Sequence, residues 1–81
     1  MSAPTYRRPS EVATRLGVSI SSLRRWSQRF ASFLSSAANP SSDDENEPRH
    51  RRYTDEDLAT LITIKGLLAE GYAYEQVGRR L

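Results

Sequence analysis

The sequence contains no cysteine, and this absence removes several classes of protein from consideration. Without thiols there is no disulfide framework, no thiolate metal site and no thiol redox chemistry. The sequence also has no apolar run of membrane-spanning length and no charged-then-apolar segment at its start that would indicate a secretory signal. We therefore expect a single small domain over residues 1–81, located in the cytoplasm and away from membranes.

The sequence has few of the residues that enzymes use. His50 is the single histidine, no serine–histidine–acid set has an interpretable spacing, and the four glycines form no phosphate-binding loop. The acidic run at residues 43–47 lacks the glycine and the spacing of a calcium loop. We therefore expect no enzymatic activity, no cofactor and no metal site.

The basic residues are arginine almost throughout, because Lys65 is the only lysine among twelve basic side chains. The net charge is only +2, but six arginines stand against the single acid Glu11 in residues 1–39. A guanidinium suits bidentate contact with a phosphate or a guanine edge. A GC-rich coding bias would explain the number of arginines, but it would not explain their clustering.

Residues 9–16 have the pattern of a short helix. Val12 and Leu16 recur at helical spacing, and Ser10 is placed to cap the first turn. Gly17 is predicted to end the helix, because glycine adopts the left-handed backbone conformation at little steric cost.

A second helix is predicted to begin around residues 19–21. Its inward face has Leu23 and Trp26, helped by Ile20, although an outward Trp26 stacked on a base is the alternative. Its outward face has Ser21, Ser22, Arg24, Arg25, Gln28 and Arg29. A small residue at Ala13 allows the two helices to cross closely. This is the helix-turn-helix pattern, whose second helix enters the major groove of DNA, and an unrelated helical hairpin is the alternative.

The segment before the first helix is also basic. Residues 1–5 are expected to be a loose tail, and Tyr6 is expected to pack on the core. Arg7 and Arg8 lie where a helix-turn-helix domain meets the DNA backbone, so phosphate contact and a solvated arm are both open.

Residues 35–48 are dominated by serine, asparagine, proline and acids, with no apolar side chain larger than alanine. Such a segment buries too little surface to offset its ordering entropy, so we expect a flexible acidic loop. Residues 49–53 are typical of a strand that returns from the loop and pairs with residues 33–36 in a two-stranded wing. His50 is expected to have a structural role or to contact a phosphate.

Thr54 is predicted to begin a third helix, with Asp57 as its capping-box partner and acids at the positive end of the helix dipole. An apolar stripe follows at Leu58, Leu61, Ile62, Ile64, Leu67 and Leu68. We predict that this stripe forms the core rather than a cofactor groove. Gly71 is expected to end the helix, and residues 72–81 are expected to start a last amphipathic helix.

In this order, the motifs resemble the N-terminal DNA-binding domain of the MerR family of bacterial transcription regulators. The matching segments are Glu11-Val12-Ala13, Leu16-Gly17-Val18-Ser19, Leu23-Arg24-Arg25-Trp26, His50-Arg51, Tyr53-Thr54, Glu56-Asp57-Leu58, Ile64-Lys65, Leu67 and Gly71. The resemblance implies a mainly α, winged helix-turn-helix fold of about four helices with a small two-stranded β wing.

The resemblance also implies sequence-selective binding of double-stranded DNA in transcription regulation, with a nucleoid-associated location. The second helix would enter the major groove, and the wing would contact the backbone or the minor groove. The predicted DNA-binding residues are Ser21, Ser22, Arg24, Arg25, Arg29, Arg7, Arg8, Arg49, His50, Arg51, Arg52 and Lys65. Of these, residues 21, 22, 24 and 25 would approach base edges or adjacent phosphates in the major groove, and residues 7, 8, 29, 49, 51, 52 and 65 would mainly neutralise phosphates.

The sequence departs from the family pattern at three points. Arg25 replaces the first residue of the usual aromatic pair, the wing tip is long and acidic, and the chain ends at Leu81 before the coiled-coil helix by which family members dimerise. We expect a monomer for these residues and a homodimer in a longer native chain. The alternatives are an excisionase-like DNA-bending protein and a protein-interaction module.

Overall fold

The computed structural model describes residues 6–39 and 51–81. Within these ranges the chain forms four α-helices: α1 (Pro9–Leu16), α2 (Ile20–Arg29), α3 (Asp55–Ala69) and α4 (Tyr74–Arg80). Two short 3-10 helices, Ala31–Phe33 and Ser36–Ala38, follow α2. The predicted mainly helical fold is confirmed for these residues. The predicted N-terminal tail and the tip of the predicted wing, with Arg49 and His50, lie outside them.

The helix α1 ends at the predicted residue but begins earlier than predicted. Gly17 has a φ of +71° and donates its N–H to the Thr14 carbonyl at 3.1 Å, so it is the left-handed C-cap. The prediction that Ser10 caps α1 is wrong. Arg8 is the N-cap without a side-chain hydrogen bond, and Pro9 is the first helical residue, where a missing N–H costs nothing.

The helix α2 begins at the predicted position. The Ser19 hydroxyl accepts a hydrogen bond from the Ser22 N–H at 3.0 Å and thereby caps the first turn. Together α1, the Gly17 turn and α2 form the predicted helix-turn-helix.

A single apolar core joins the four helices. Its buried members are Val12, Ala13, Leu16, Leu23, Trp26, Phe30, Ala38, Tyr53, Leu58, Leu61, Ile64 and Val77. Trp26 is only 8% exposed, so its predicted burial is confirmed. This burial leaves its ring unable to stack on a base.

Three apolar side chains that we predicted to face the core are instead exposed. Ile20 is 51% exposed and lies in the first turn of α2. Ile62 is 56% exposed because the helical rotation that buries Leu61 turns the next residue towards solvent. Tyr6 is 52% exposed, whereas Tyr53, the bridge partner of the next residue Arg7, is fully buried.

The helices α3 and α4 close the core against the helix-turn-helix. Lys65 of α3 donates its Nζ to the Leu16 carbonyl at 2.5 Å, at the end of α1. The rings of Phe30 and Tyr74 meet edge to face with 5.8 Å between their centroids. This ring contact joins the end of α2 to the start of α4.

The predicted pairing of residues 33–36 with the returning segment is wrong for the described residues. Residues 33–36 lie in and between the two 3-10 helices, and Tyr53 instead forms an isolated antiparallel bridge with Arg7. The backbone groups of Tyr53 are therefore already paired. Within the described residues, one backbone bond, from the Arg52 N–H to the Ala37 carbonyl at 2.9 Å, joins the two flanks of residues 40–50.

The first five residues of the predicted flexible loop, 35–39, make defined contacts with the rest of the described chain. Ala38 is fully buried, and Ser35 donates to the Asp57 carboxylate through its N–H at 2.7 Å and its hydroxyl at 2.5 Å. A small side chain and fixed polar partners order residues 35–39. Composition could not reveal these partners, because they lie far along the chain.

The predicted capping box at the start of α3 is confirmed. The Thr54 hydroxyl accepts from the Asp57 N–H, and the Asp57 carboxylate accepts from the Thr54 N–H, each at 3.0 Å. Burial alone would raise the pKa of Asp57, but the hydrogen bonds from Ser35 and Thr54 outweigh burial and lower the pKa. One carboxylate thus holds the segment after α2 to the start of α3.

We predict that Asp57→Asn destabilises the fold at neutral pH, by about 1–3 kcal/mol, because buried hydrogen bonds to a charged acceptor are lost. The pKa of Asp57 is lower in the folded protein than its ordinary 3.8, so the stabilisation is complete above that value and is lost as the pH falls through the folded pKa. Urea unfolding at about pH 7 and about pH 2 measures the difference. Glu56→Gln, an exposed acid in the same turn, is the control. An equal loss of stability at both pH values would contradict the prediction.

The two glycines at positions 17 and 66 are predicted to respond to alanine in opposite directions. Gly17→Ala is expected to cost about 1 kcal/mol because a Cβ is strained at positive φ, whereas Gly66→Ala is expected to add about 0.5–1 kcal/mol because alanine is the better helix former. A Cβ at Gly66 meets nothing within 4 Å, so no clash offsets the gain. Thermal unfolding of both variants tests the prediction, and destabilisation by Gly66→Ala would contradict it.

Candidate nucleic-acid interface

The solvent face of α2 carries the two arginines that the sequence places on the recognition helix. Arg24 and Arg25 are exposed, whereas Leu23 and Trp26 on either side of them are buried. Residues three apart lie on the same side of an α-helix, so the burial of Leu23 and Trp26 turns the two residues between them outward.

The charges of these two arginines are not compensated within the described residues. No acid occurs between residues 17 and 39, and neither Arg24 nor Arg25 makes an ion pair or a hydrogen bond with any described side chain. A guanidinium without internal partners keeps all five N–H donors for an external acceptor. This face can therefore donate to phosphate oxygens or to the edges of bases.

The two predicted serines at the start of α2 differ in their surroundings. Ser21 is exposed. Ser22 is half-buried, and its hydroxyl accepts from the Ser19 hydroxyl at 3.1 Å. Ser21 is thus the serine that is open to an external partner.

Arg29 occupies the last turn of α2 and is exposed. Its guanidinium carbon lies 5.6 Å from the centroid of the Tyr74 ring, within the range of a cation–π contact. This contact restricts where the guanidinium can lie, and it places a third positive charge on α2 next to the start of α4.

Arg7 and Arg8 are neighbours in the chain, but their side chains differ in their partners. Arg7 donates from Nε to Asp55 at 2.8 Å and from one terminal nitrogen to Glu11 at 2.6 Å. These contacts raise the pKa of Arg7, with the hydrogen bond to Asp55 the largest cause. Arg8 is exposed and makes no such contact with the described residues. Of the two, Arg8 has the available charge.

Arg51 is buried, with only 8% of its surface exposed. One terminal nitrogen donates to the Ala38 carbonyl and to Asn39 Oδ1, each at 2.6 Å. Arg52 is half-buried and donates to the Arg51 carbonyl at 2.8 Å. The hydrogen-bonding capacity of Arg51 is therefore used at least partly inside the protein.

Lys65 lies beside the turn of the helix-turn-helix. Its Nζ donates to the Leu16 carbonyl and lies 3.7 Å from the Cβ position of Gly17. An ammonium has three donors, so further N–H groups are available to an anion near the turn. Lys65 thus stabilises the end of α1 and presents a charge next to it.

Of the predicted DNA-binding residues, the structure brings together those of α2 and places the others on separate segments. Sequence reasoning missed Ser27 and Asn39, which bond to each other and connect α2 to the predicted wing. The available signal was the position of Ser27, four residues after Leu23 and therefore on the inward face of α2.

The described residues show neither a cluster of metal-ligand side chains nor a membrane-spanning helix. In residues 6–39 and 51–81, no three His, Cys, Asp or Glu side chains converge as metal ligands do. No helix in the same ranges has both the length and the apolar character required to cross a bilayer.

Comparison with known proteins identifies the family. Residues 7–81 match the family described as MerR HTH family regulatory protein. No curated protein matches the chain, and no solved structure does. The family match covers the helix-turn-helix together with α3 and α4, which is nearly the whole chain. The chain therefore belongs to the MerR helix-turn-helix family of regulatory proteins.

Proposed function

We propose that this protein binds double-stranded DNA sequence-selectively to control transcription, with α2 in the major groove. The observation that supports this proposal most directly is the pair of exposed arginines, Arg24 and Arg25, on a helix surface without acids. Membership of the MerR family supports DNA-binding transcription regulation in general. The proposal adds the mode of binding and the residues that carry it.

In this proposal the residues of α2 approach the bases. A guanidinium can donate two parallel hydrogen bonds to the O6 and N7 atoms of guanine, which distinguishes guanine from the other bases in the major groove. Arg24 and Arg25 occupy successive positions, so each addresses a different part of the site. Ser21, one turn earlier, lies near the end of α2 that would enter the groove first.

Other basic residues would contact the DNA backbone and set the position of α2. Arg8 and Arg29 present charges near the two ends of the helix-turn-helix and Lys65 presents one at its turn, and each is proposed to contact a phosphate beside the major groove. Arg49, His50 and Arg52 remain the proposed backbone contacts of the wing. Arg7 and Arg51 are assigned instead to the internal contacts that their side chains make.

A single domain of this size offers few base contacts, so two copies on adjacent half-sites would raise the affinity and the selectivity. We therefore extend the proposal to a homodimer on a palindromic operator. The proposed setting is the nucleoid of a bacterial cytoplasm.

Arg25 is a proposed contact to a base. On a duplex selected from random DNA by the wild-type protein, Arg25→Ala is expected to cost about 1–3 kcal/mol of binding free energy and to relax the preference at one base pair. Arg15→Ala removes the same charge from an exposed position on α1 and is the matched control. Fluorescence anisotropy with every single-base variant of the duplex measures both effects. An unchanged base preference in Arg25→Ala would contradict the assignment of Arg25 to a base.

Arg8 is proposed to contact a phosphate, whereas Arg7 is assigned to internal contacts. Arg8→Ala is expected to shallow the dependence of log K on log salt by about 0.9, the contribution of one phosphate contact. Arg7→Ala is expected to leave this slope unchanged, because Glu11 and Asp55 already bind its guanidinium. Titrations at several salt concentrations measure both slopes. If Arg7→Ala shallowed the slope as much as Arg8→Ala, the assignment of Arg7 to internal contacts would be wrong.

A further inference from the structure

A pair of buried hydroxyl groups holds the inward side of α2. Ser27 Oγ and Tyr53 Oη are 2.6 Å apart, and both residues are fully buried. Ser27 Oγ also bonds to the Leu23 carbonyl at 2.7 Å. A serine hydroxyl has one proton, which the carbonyl requires, so the Tyr53 hydroxyl donates to Ser27. Burial raises the pKa of Tyr53, with its contacts to Ser27 and Arg51 acting in the opposite direction. The phenol therefore remains a donor at neutral pH.

Asn39 makes a second connection to the same residue of α2. Its Nδ2 donates to the Ser27 carbonyl at 2.8 Å, and its Oδ1 accepts from Arg51 at 2.6 Å. The Ser27 carbonyl belongs to the last four residues of α2, whose carbonyls lack partners within the helix. The Asn39 amide thus satisfies a carbonyl at the end of α2 and accepts from the Arg51 guanidinium.

Arg51 also donates to the Ala38 carbonyl, next to Asn39 in the chain. A buried guanidinium is tolerated only where its donors are paired, and in the described part of the chain no buried side-chain polar atom lacks a partner. Residues 37–39 and 51–53, the two flanks of residues 40–50, are thereby bonded to each other and to α2.

We propose that Ser27, Asn39, Arg51 and Tyr53 form a positioning cluster that fixes the recognition helix relative to the two flanks of the predicted wing. This inference rests on the proposed DNA-binding function. Within it, Arg51 affects DNA binding by orienting α2, and not by neutralising a phosphate. The cluster sets the position of α2 together with that of residues 37–39 and 51–53, so weakening it loosens both.

The test measures binding of Asn39→Ala and Arg51→Ala to a duplex selected by the wild-type protein, over a series of salt concentrations. Each variant is expected to bind about tenfold more weakly, the factor that corresponds to one lost buried hydrogen bond. The salt slope is expected to match that of the wild type in both variants, because neither residue contacts a phosphate. The double variant is expected to bind no more weakly than the weaker single variant, because both changes remove the same connection.

Two further variants separate positioning from charge and from general stability. Arg51→Lys keeps the positive charge but loses the planar fork of donors, and it is expected to bind as weakly as Arg51→Ala. Ser27→Ala is expected to lower the ratio of affinities for the selected and a scrambled duplex. Thr63→Ala is its control and is expected to leave that ratio unchanged, because Thr63 also bonds to the carbonyl four residues earlier but lies exposed on α3. Urea unfolding establishes that every variant is folded under the binding conditions.

A salt slope that falls by about one unit in Arg51→Ala, with wild-type binding by Asn39→Ala and Arg51→Lys, would overturn the inference and make Arg51 a phosphate contact. A wild-type chain that selects no duplex would instead overturn the proposed function. Amide hydrogen exchange of residues 26–30 in the free protein then decides the inference. Faster exchange in Asn39→Ala than in Thr63→Ala supports the cluster, and equal exchange overturns it.

Discussion

The burial of Leu23 and Trp26 determines which face of α2 meets solvent, and the proposed function depends on that face. An α-helix rotates by about 100° per residue, so two buried residues three positions apart leave the pair between them exposed. Arg24 and Arg25 occupy those positions. Their exposure is thus a consequence of core packing and requires no contact made by the arginines themselves.

The orientation of that face depends on contacts from the rest of the chain. At the turn before α2, Gly17 makes the corner and Lys65 binds the last turn of α1. At the end of α2, Asn39 and Tyr53 bind Ser27. The turn before α2 and the end of α2 are therefore both bound by side chains from later in the sequence. A short recognition helix gains its fixed position from these contacts, since an isolated helix of this length is marginal in water.

Sequence reasoning predicted the features that depend on near neighbours. The Gly17 turn, the Ser19 start of α2, the Thr54–Asp57 capping box and the burial of Trp26 each follow from residues within one or two turns. Several of the features that it missed depend on residues far along the chain. Ser35 donates its hydrogen bonds to Asp57, and the buried Arg51 donates to Ala38 and Asn39. No local pattern shows whether such partners will meet, so these contacts could not be predicted from the sequence.

The arginines of the candidate site cannot be distinguished from the sequence, but in the structure they differ in burial and in their internal partners. Arg24 and Arg25 have no internal partner among the described residues, Arg29 lies over Tyr74, Arg7 binds two acids and Arg51 is buried. A charge that is already paired within the protein releases few counterions from DNA, since its own field is largely compensated. For the proposed function, the electrostatic contribution to DNA binding would therefore come from the arginines without internal partners, whatever the number of basic residues. This distinction explains how a chain with a net charge of only +2 can present a strongly basic surface on one helix.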